Sequence, residues 1–212
     1  HLITPSDIRF QLESDLRRVR SDGIIPGRQL VASRARLTTN NAGMAIEGPM
    51  TVDGVPINGR WSRGFGAETQ GRSEVVASVE LSPRFLDAFG IALPPGSLSG
   101  RGRGDVVLDL RDGRPPDFPL VSDLRGIGLA VAPIGWSKSP NSRGNFLITG
   151  ALSAPPRIDR IELSGGGLSA TGRVTLTPAG GLDNARFDRL RVGDWLDAPI
   201  VLRGRGRGAP VA

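Results

Sequence analysis

Cysteine and tyrosine are absent from this sequence of 212 residues, and its only histidine is the first residue. The absence of cysteine excludes a disulfide framework and thiolate metal sites, although it does not identify the cellular compartment. With His1 as the only imidazole, neither a Ser-His-Asp triad, a Cys-His pair nor a histidine-rich zinc site can be assembled. We therefore expect a protein that is not an enzyme, with no catalytic residue, no metal ion and no cofactor.

The remaining polar signals are weak. Carboxylates such as Asp105, Asp109 and Asp117 are scattered over polar positions and turns. A paired-carboxylate glycosidase is not excluded, but this spacing is typical of solvated surface groups. The glycine clusters at 64–66 and 165–167 lack the rest of a phosphate-binding motif, and we interpret both as turns.

Long apolar runs are also missing, because no window approaches the roughly 18 consecutive apolar residues of a membrane-spanning helix. The first residues show neither a starting Met nor a signal-peptide pattern, so we expect a section of a longer protein. The net charge of +6 favours anionic partners such as phospholipid headgroups, lipopolysaccharide or nucleic acid. It does not discriminate among them.

Glycine (30 residues) and proline (17 residues) are abundant, and Leu, Val and Ile recur in short runs with a period of two. This combination predicts an all-β protein with many turns. Asp53-Gly54 is a strong hairpin signal between two such runs. About ten strands are expected, over residues 31–37, 46–52, 55–61, 74–81, 97–111, 120–131, 144–153, 157–164, 167–177, 183–192 and 198–207. Short connections favour one highly curved antiparallel sheet, open as a groove, with one or two short helices.

Two helices are predicted. Ile8, Leu12, Leu16 and Val19 follow a helical spacing, so residues 5–20 are expected to form an amphipathic helix. Ser82-Pro83 supplies an N-cap and an N1 proline for a short helix that ends at Gly90. We accordingly divide the chain into an N-terminal helix and linker, residues 1–29, and an antiparallel β module, residues 30–212.

Two further motifs have alternative interpretations. The Arg-Gly repeats at 101–104 and 203–208 occur in nucleic-acid-binding tails, but the first runs directly into an alternating strand, so we expect no nucleic-acid partner. Residues 134–138 place Trp136 and Lys138 beside glycine, which favours a loop with Trp136 covering the sheet edge over a site that contacts lipid headgroups.

The order of these segments resembles the AsmA-like proteins of Gram-negative envelopes, and among them most closely the YhdP type. The resemblance is carried by the hairpin at 48–57 with its closing Gly59-Arg60-Trp61 and by the short helix with Phe85-Leu86. It continues through residues 100–110, 134–138 and 161–172, and covers roughly residues 30–208. These are weak motifs without a diagnostic signature.

The resemblance implies a non-enzymatic segment of a periplasmic protein whose apolar β-groove guides phospholipids between the inner and outer membranes. Its implied partners are phospholipid acyl chains, the inner membrane through an anchoring helix outside this sequence, and other envelope proteins. The groove would be lined by every second residue of the strands, namely Ile46, Met50, Val75, Val79, Val106, Leu108, Leu110, Phe146, Ile148, Leu168, Val174, Leu176, Ile200 and Leu202.

Alternation alone fits a closed core equally well. The alternative is therefore a structural or assembly scaffold in outer-membrane biogenesis, similar to TamB, with no lipid conduit. Gly102, Gly104, Gly150 and Gly172 on the apolar positions leave room for a ligand in the first hypothesis, but they also permit the sheet to bend.

Overall fold

The computed structural model describes residues 9–22, 27–91, 93–153, 157–177 and 182–204. Strands dominate, and the only α-helix within these ranges is α1 (Pro83–Ala88). The strands are β1 (Gln11–Ser21), β2 (Leu30–Asn40), β3 (Gly43–Val52), β4 (Val55–Gly64), β5 (Arg72–Leu81), β6 (Leu98–Gly100), β7 (Gly102–Arg111), β8 (Arg114–Ser122), β9 (Ile127–Val131), β10 (Trp136–Lys138), β11 (Asn145–Ala151), β12 (Arg157–Gly165), β13 (Leu168–Leu176), β14 (Leu182–Val192) and β15 (Leu196–Arg203). Single turns of 3-10 helix occur at Ala67–Thr69 and Ala132–Ile134.

Twelve of the strands form one antiparallel sheet in the order β1-β2-β3-β4-β5-β7-β8-β11-β12-β13-β14-β15. Neighbours in the sheet follow one another along the chain apart from two insertions, so the topology is a meander. The sheet is not closed into a barrel. The predicted all-β fold with a large open antiparallel sheet is therefore confirmed.

The two insertions, residues 82–101 and 123–144, leave the large sheet at the same end. The first contains α1 and β6, and the second contains β9 and β10. Together they form a three-stranded antiparallel sheet in the order β10-β9-β6. Strands from separate insertions thus pair to make one structure, which we call the small sheet.

Tight turns join most of the remaining strands. Asp53 and Gly54 both have positive φ, 48° and 79°, as a two-residue turn that matches the strand twist requires. The Arg28 guanidinium fixes this turn from outside the hairpin, donating to the Asp53 carboxylate at 2.6 Å and to the Ala88 carbonyl at 2.6 Å. Its guanidinium carbon also lies 4.2 Å from the centre of the Phe89 ring. One side chain therefore joins the hairpin to α1.

The strand register divides the large sheet into two faces. Residues directly opposite one another share a face, and Trp61 lies opposite Ile46 on β3 and opposite Val75 on β5. Val75 in turn lies opposite Leu108 on β7. We call this side the apolar face. On the other side, the polar face, Arg60 lies opposite Glu47.

Two clusters of buried side chains form the core between the large sheet, the small sheet and α1. The first is built around Val55, Val79, Leu81, Leu120, Leu124 and Ile127. Phe85 and Phe89 of α1 pack against it, with their rings stacked 4.6 Å apart. The second contains Trp136, Leu168, Ala170 and Val192. The core is therefore a layer between the insertions and the apolar face.

The predicted helix over residues 5–20 is wrong where the structure describes it, because Gln11–Ser21 form β1. This strand pairs with β2 along its length, which satisfies its backbone on one side. Leu12 and Leu16 lie on the apolar face, and at Arg18, whose φ is 55°, the alternation of β1 changes so that Val19 lies opposite Ala32 on that face. The register of β1 with β2 is unbroken at this point, and the matching register shift lies between β2 and β3. A strand with one change of alternation thus reproduces a helical spacing. Residues 5–8 lie outside the described residues.

Other boundaries also differ from expectation. The predicted strand over 120–131 is two strands, β8 and β9, separated by a turn at 123–126, and the predicted loop at 134–138 contains β10. Strand 97–111 is interrupted at Arg101. Helix α1 begins and ends as predicted, although the buried Ser82 hydroxyl makes no capping hydrogen bond. The second Arg-Gly repeat lies largely outside the described residues.

Candidate functional site

The structure places all of the predicted groove residues on the apolar face. In the first half of the sheet, Met50 shares this face with Val79 through Ile57, which lies opposite both. In the second half, Phe146 and Ile148 lie opposite residues of β8 and β12. The register of β13, β14 and β15 then places the remaining predicted residues on the apolar face. They are Leu168, Val174, Leu176, Ile200 and Leu202.

The insertions cover one half of this face, which we call the closed half. Val79 and Leu168 are at most 5% exposed and belong to the core clusters. Leu108 is also 5% exposed, although it belongs to neither cluster. Val106, Phe146 and Ile148 are half-buried and pack against the first core cluster. These side chains have the environment of an ordinary protein core.

The other residues of the set belong to neither core cluster and remain half-buried. We call them the open half of the apolar face. They lie on two groups of strands, β3, β5 and β7 and then β13 and β15. Many of them are toward the end of the sheet opposite the insertions. The open half comprises Ile46, Met50, Val75, Leu110, Val174, Leu176, Ile200 and Leu202.

The glycines on this face do not leave room for a ligand. A Cβ added at Gly104 would press against Leu81 and Leu120, at 3.1 and 3.3 Å. At Gly102 it would meet Ile127, and at Gly172 it would lie 2.9 Å from the Phe187 Cα. Gly150 and Gly172 both adjoin register shifts. These glycines therefore permit close backbone approach and irregularity of the sheet. Of the two predicted uses, bending of the sheet fits this environment and room for a ligand does not.

The polar face carries cross-strand ion pairs in place of apolar side chains. Asp109 accepts hydrogen bonds from Arg111 and Arg72. Both arginines lower the pKa of its carboxyl, and Arg111 has the larger effect. Arg189 likewise lowers the pKa of Asp197. Because these groups are largely exposed, each pair contributes little stability. Their arrangement nevertheless opposes any register that turns this face inward.

A shallow depression of about 600 Å³ lies on the polar side of the sheet across β7, β8, β11, β12 and β13. Asp105 and Glu162 line it, but Arg103 pairs with the first carboxylate and Arg160 with the second. The exposed Val121 and the half-buried Leu147 complete its floor. Its third carboxylate, Asp123, forms no ion pair within the described ranges and accepts a hydrogen bond from the Arg125 amide. A single unpaired carboxylate in a shallow depression does not form a set of groups that would define a specific ligand.

Trp136 and Lys138 do not form a headgroup site, because both side chains are buried, at 5% and 2% exposure. The Trp136 Nε1 donates to the Gly166 carbonyl at 2.9 Å, and the indole belongs to the second core cluster. The interpretation of Trp136 as a structural side chain is correct, but its place is the core beneath the small sheet.

Lys138 is the site that sequence reasoning missed. Its ammonium donates to the backbone carbonyls of Leu124, Ile127, Ser139 and Ser142, at 2.7 to 3.0 Å. Burial lowers the pKa of this amine, while the charge of Asp123 opposes that shift. The sequence singles out residues 134–138, and Lys138 is the sole lysine of the chain, but no local pattern indicates that its ammonium is buried among carbonyls.

Comparison with known proteins supplies no relative, since no family model, curated protein or solved structure matches this chain. Within the described ranges, no helix has both the length and the apolar character needed to cross a membrane. The two faces of the sheet and the division of the apolar face are therefore the features that indicate a function.

Proposed function

We propose that the open half of the apolar face binds lipid acyl chains, and that the chain is a segment of a periplasmic lipid-transport groove of the AsmA-like type. The observation that carries this proposal is the half-buried apolar surface outside both core clusters, which lies on β3, β5 and β7 and again on β13 and β15. The twelve strands, about 4.8 Å apart, make the sheet roughly 50 Å wide, and these two groups share one face of it. Apolar residues spread over five strands cover more than a single side-chain pocket.

The energetics favour such a ligand. Removing a methylene group from water contributes about 0.8 kcal/mol, so an acyl chain of about 16 carbons would gain on the order of 12 kcal/mol if fully shielded. An open sheet shields only part of that chain. Partial shielding suits a conduit, because a lipid that is held weakly along the groove can also move along it.

The second candidate is an assembly scaffold without a lipid conduit. It is supported by the closed half, where the insertions convert part of the same face into an ordinary core. In that function, the open half would be covered by an envelope protein or by further strands of a longer chain. The two candidates differ in what contacts the open half.

Photocrosslinking from single positions separates them. A photoreactive residue at Val174 on the apolar face is compared with one at the adjacent Arg173 on the polar face, within the same strand. Ile46 and Leu202 are further test positions, and Arg103 and Asp109 are further controls. We expect lipid adducts at the open-half positions only, in the intact envelope.

Protein adducts without lipid at Val174 and Leu202 would favour the scaffold. Equal lipid capture from Arg173 and Val174 would contradict a lipid groove, because these two residues lie on opposite faces of the sheet. Leu108 is unsuitable as a probe because it is buried, at 5% exposure.

A further inference from the structure

The two segments that build the small sheet contain no charged residue before Lys138, although 23% of the chain is Asp, Glu, Lys or Arg. They are residues 88–100, between Asp87 and Arg101, and residues 126–137, between Arg125 and Lys138. The fold brings them together, since β6 comes from the first stretch and β9 and part of β10 come from the second. The small sheet is therefore almost free of charge.

Its outer end is apolar and exposed. A turn at Pro94–Ser97, closed by a 3.1 Å bond from the Ser97 amide to the Pro94 carbonyl, lies beside the end of β9 through a 3.0 Å bond from the Ala130 amide to the Ser97 carbonyl. Leu93 is 48% exposed and Val131 is 40% exposed. We call this end, formed by Leu93, the exposed residues 94–96 and the exposed residues 131–133, the apolar tip.

Arginines surround the other end of the small sheet. The Arg101 amide donates to the Gly126 carbonyl at 2.9 Å, which places Arg101 beside Arg125. Arg143 is close to them, because the Gly144 amide donates to the Asp123 carbonyl at 2.9 Å. All three side chains are exposed, and none forms an ion pair within the described ranges. Asp105 is already paired with Arg103, and the exposed Asp123 offsets at most one of the three charges. Arg101, Arg125 and Arg143, which we call the collar, therefore carry a net positive charge.

The spacing between tip and collar matches the depth of a bilayer interface. Val131 lies five residues after Gly126, which is about 16 Å at roughly 3.3 Å per residue. An apolar element that enters the headgroup and acyl boundary by about 5–10 Å would leave the arginines at the level of the phosphates. The tip provides apolar contact, and the collar provides attraction to anionic headgroups.

We propose that the apolar tip of the small sheet docks this protein on a bilayer that contains anionic phospholipid. The unpaired arginines favour this occupant over an apolar protein, because a continuous anionic surface complements all three charges at once. The docking site is separate from the open half of the apolar face, and it does not depend on lipid binding there.

Single-cysteine labelling tests the proposal cleanly, because the chain has no cysteine of its own. An environment-sensitive fluorophore is attached to Leu93→Cys or, as the control, to Val76→Cys. Val76 is equally exposed, at 48%, but lies on the polar face of the large sheet. With vesicles of phosphatidylcholine and roughly a third phosphatidylglycerol, we expect a blue shift at Leu93 and none at Val76.

Substitutions then separate the contributions of the tip and the collar. Leu93→Glu should weaken vesicle binding by at least about tenfold, while Val76→Glu, which faces Arg60 across the strands, should leave it unchanged. Arg101→Gln with Arg125→Gln should abolish the preference for anionic over pure phosphatidylcholine vesicles. Val131→Glu is a second variant of the tip, but Val131 is part of β9 and its substitution can disturb folding. Leu93 lies outside regular secondary structure, so Leu93→Glu keeps the test valid in that case.

Three results would overturn the proposal. The first is equal blue shifts at Leu93 and Val76. The second is vesicle binding that survives Leu93→Glu but is lost in Leu202→Asp, which would place membrane contact on the open half. The third is self-association that Leu93→Glu abolishes in the absence of vesicle binding, which would identify a second copy as the occupant. Loss of lipid crosslinks at Val174 with vesicle docking intact would instead contradict only the groove.

Discussion

Lys138 shows how one residue can organise two loops without a carboxylate partner. The chain has 27 basic residues, and the only one that is lysine points into a set of four carbonyls. An ammonium group is a compact charge with three donors, whereas a guanidinium is a planar fork that cannot serve oxygens converging on one point. The geometry of the cage therefore explains the choice of lysine in an arginine-rich protein.

We expect Lys138→Met to lower the free energy of unfolding by about 2–4 kcal/mol, because it removes the charged donor from a set of carbonyl oxygens. Outside the strand ladders, and within the described ranges, only those of Leu124 and Ser139 have another donor. Lys138→Arg should also be destabilising, although it keeps the charge. Urea denaturation measures both effects. The matched control is Arg143→Met in the same loop, whose exposed side chain should change stability by less than about 0.5 kcal/mol. Equal stabilities of Lys138→Met and the control would mean that the carbonyls are satisfied in another way.

At the scale of elements, the sequence predicted the strands best where a period of two was regular and the turns were strong. Asp53-Gly54 and the flanking runs of β3 and β4 are the clearest case. The helix prediction for the N-terminal segment is wrong because the positive φ of Arg18 changes the strand alternation, so that Leu12, Leu16 and Val19 have a spacing that a helix shares. Local periodicity cannot distinguish the two, since the partner strand β2 decides the outcome.

The small sheet was not predicted as a unit, because its strands are only three to five residues long and pair across insertions that are separated in sequence. Pairing of this kind depends on long-range contacts with the core, such as those of Ile127 and Trp136. Short apolar segments rich in glycine and proline carry little local information about such partners.

The irregular element at Gly172 provides a test of close backbone approach. Gly172 lies beside a register shift on β13, and an added Cβ would crowd the backbone of Arg186 and Phe187 on β14. We expect Gly172→Ala to cost about 2–4 kcal/mol in a thermal or urea unfolding experiment, because β13 and β14 would have to separate.

Gly113→Ala is the control for this prediction. Gly113 has a φ of 74° but nothing within 4 Å of an added Cβ, so only the backbone conformation opposes the substitution. Its cost should be about 1 kcal/mol. A larger loss at Gly113 than at Gly172 would show that β14 can move away, and that the contact is not tightly packed.

At the scale of the whole molecule, the side of the sheet on which each groove residue lies was predictable, but its degree of cover was not. Alternation of residues such as Val106, Leu108 and Leu110 assigns them to one face, and the register keeps that assignment across all twelve strands. The division into closed and open halves depends on where the insertions fold. No pattern within β5, β7 or β13 contains that information.

The division can be measured with a matched pair of valines on the same face. Val79 is 4% exposed in the first core cluster, whereas Val174 is half-buried in the open half. Val→Thr keeps the shape and adds one hydroxyl, which costs about 1–2 kcal/mol in a dry core but little where water reaches it. We therefore expect Val79→Thr to destabilise the protein by that amount in urea denaturation, and Val174→Thr by less than about 0.5 kcal/mol. Equal losses at both positions would mean that water does not reach the open half, so the face is one sealed core and the scaffold function becomes the better explanation.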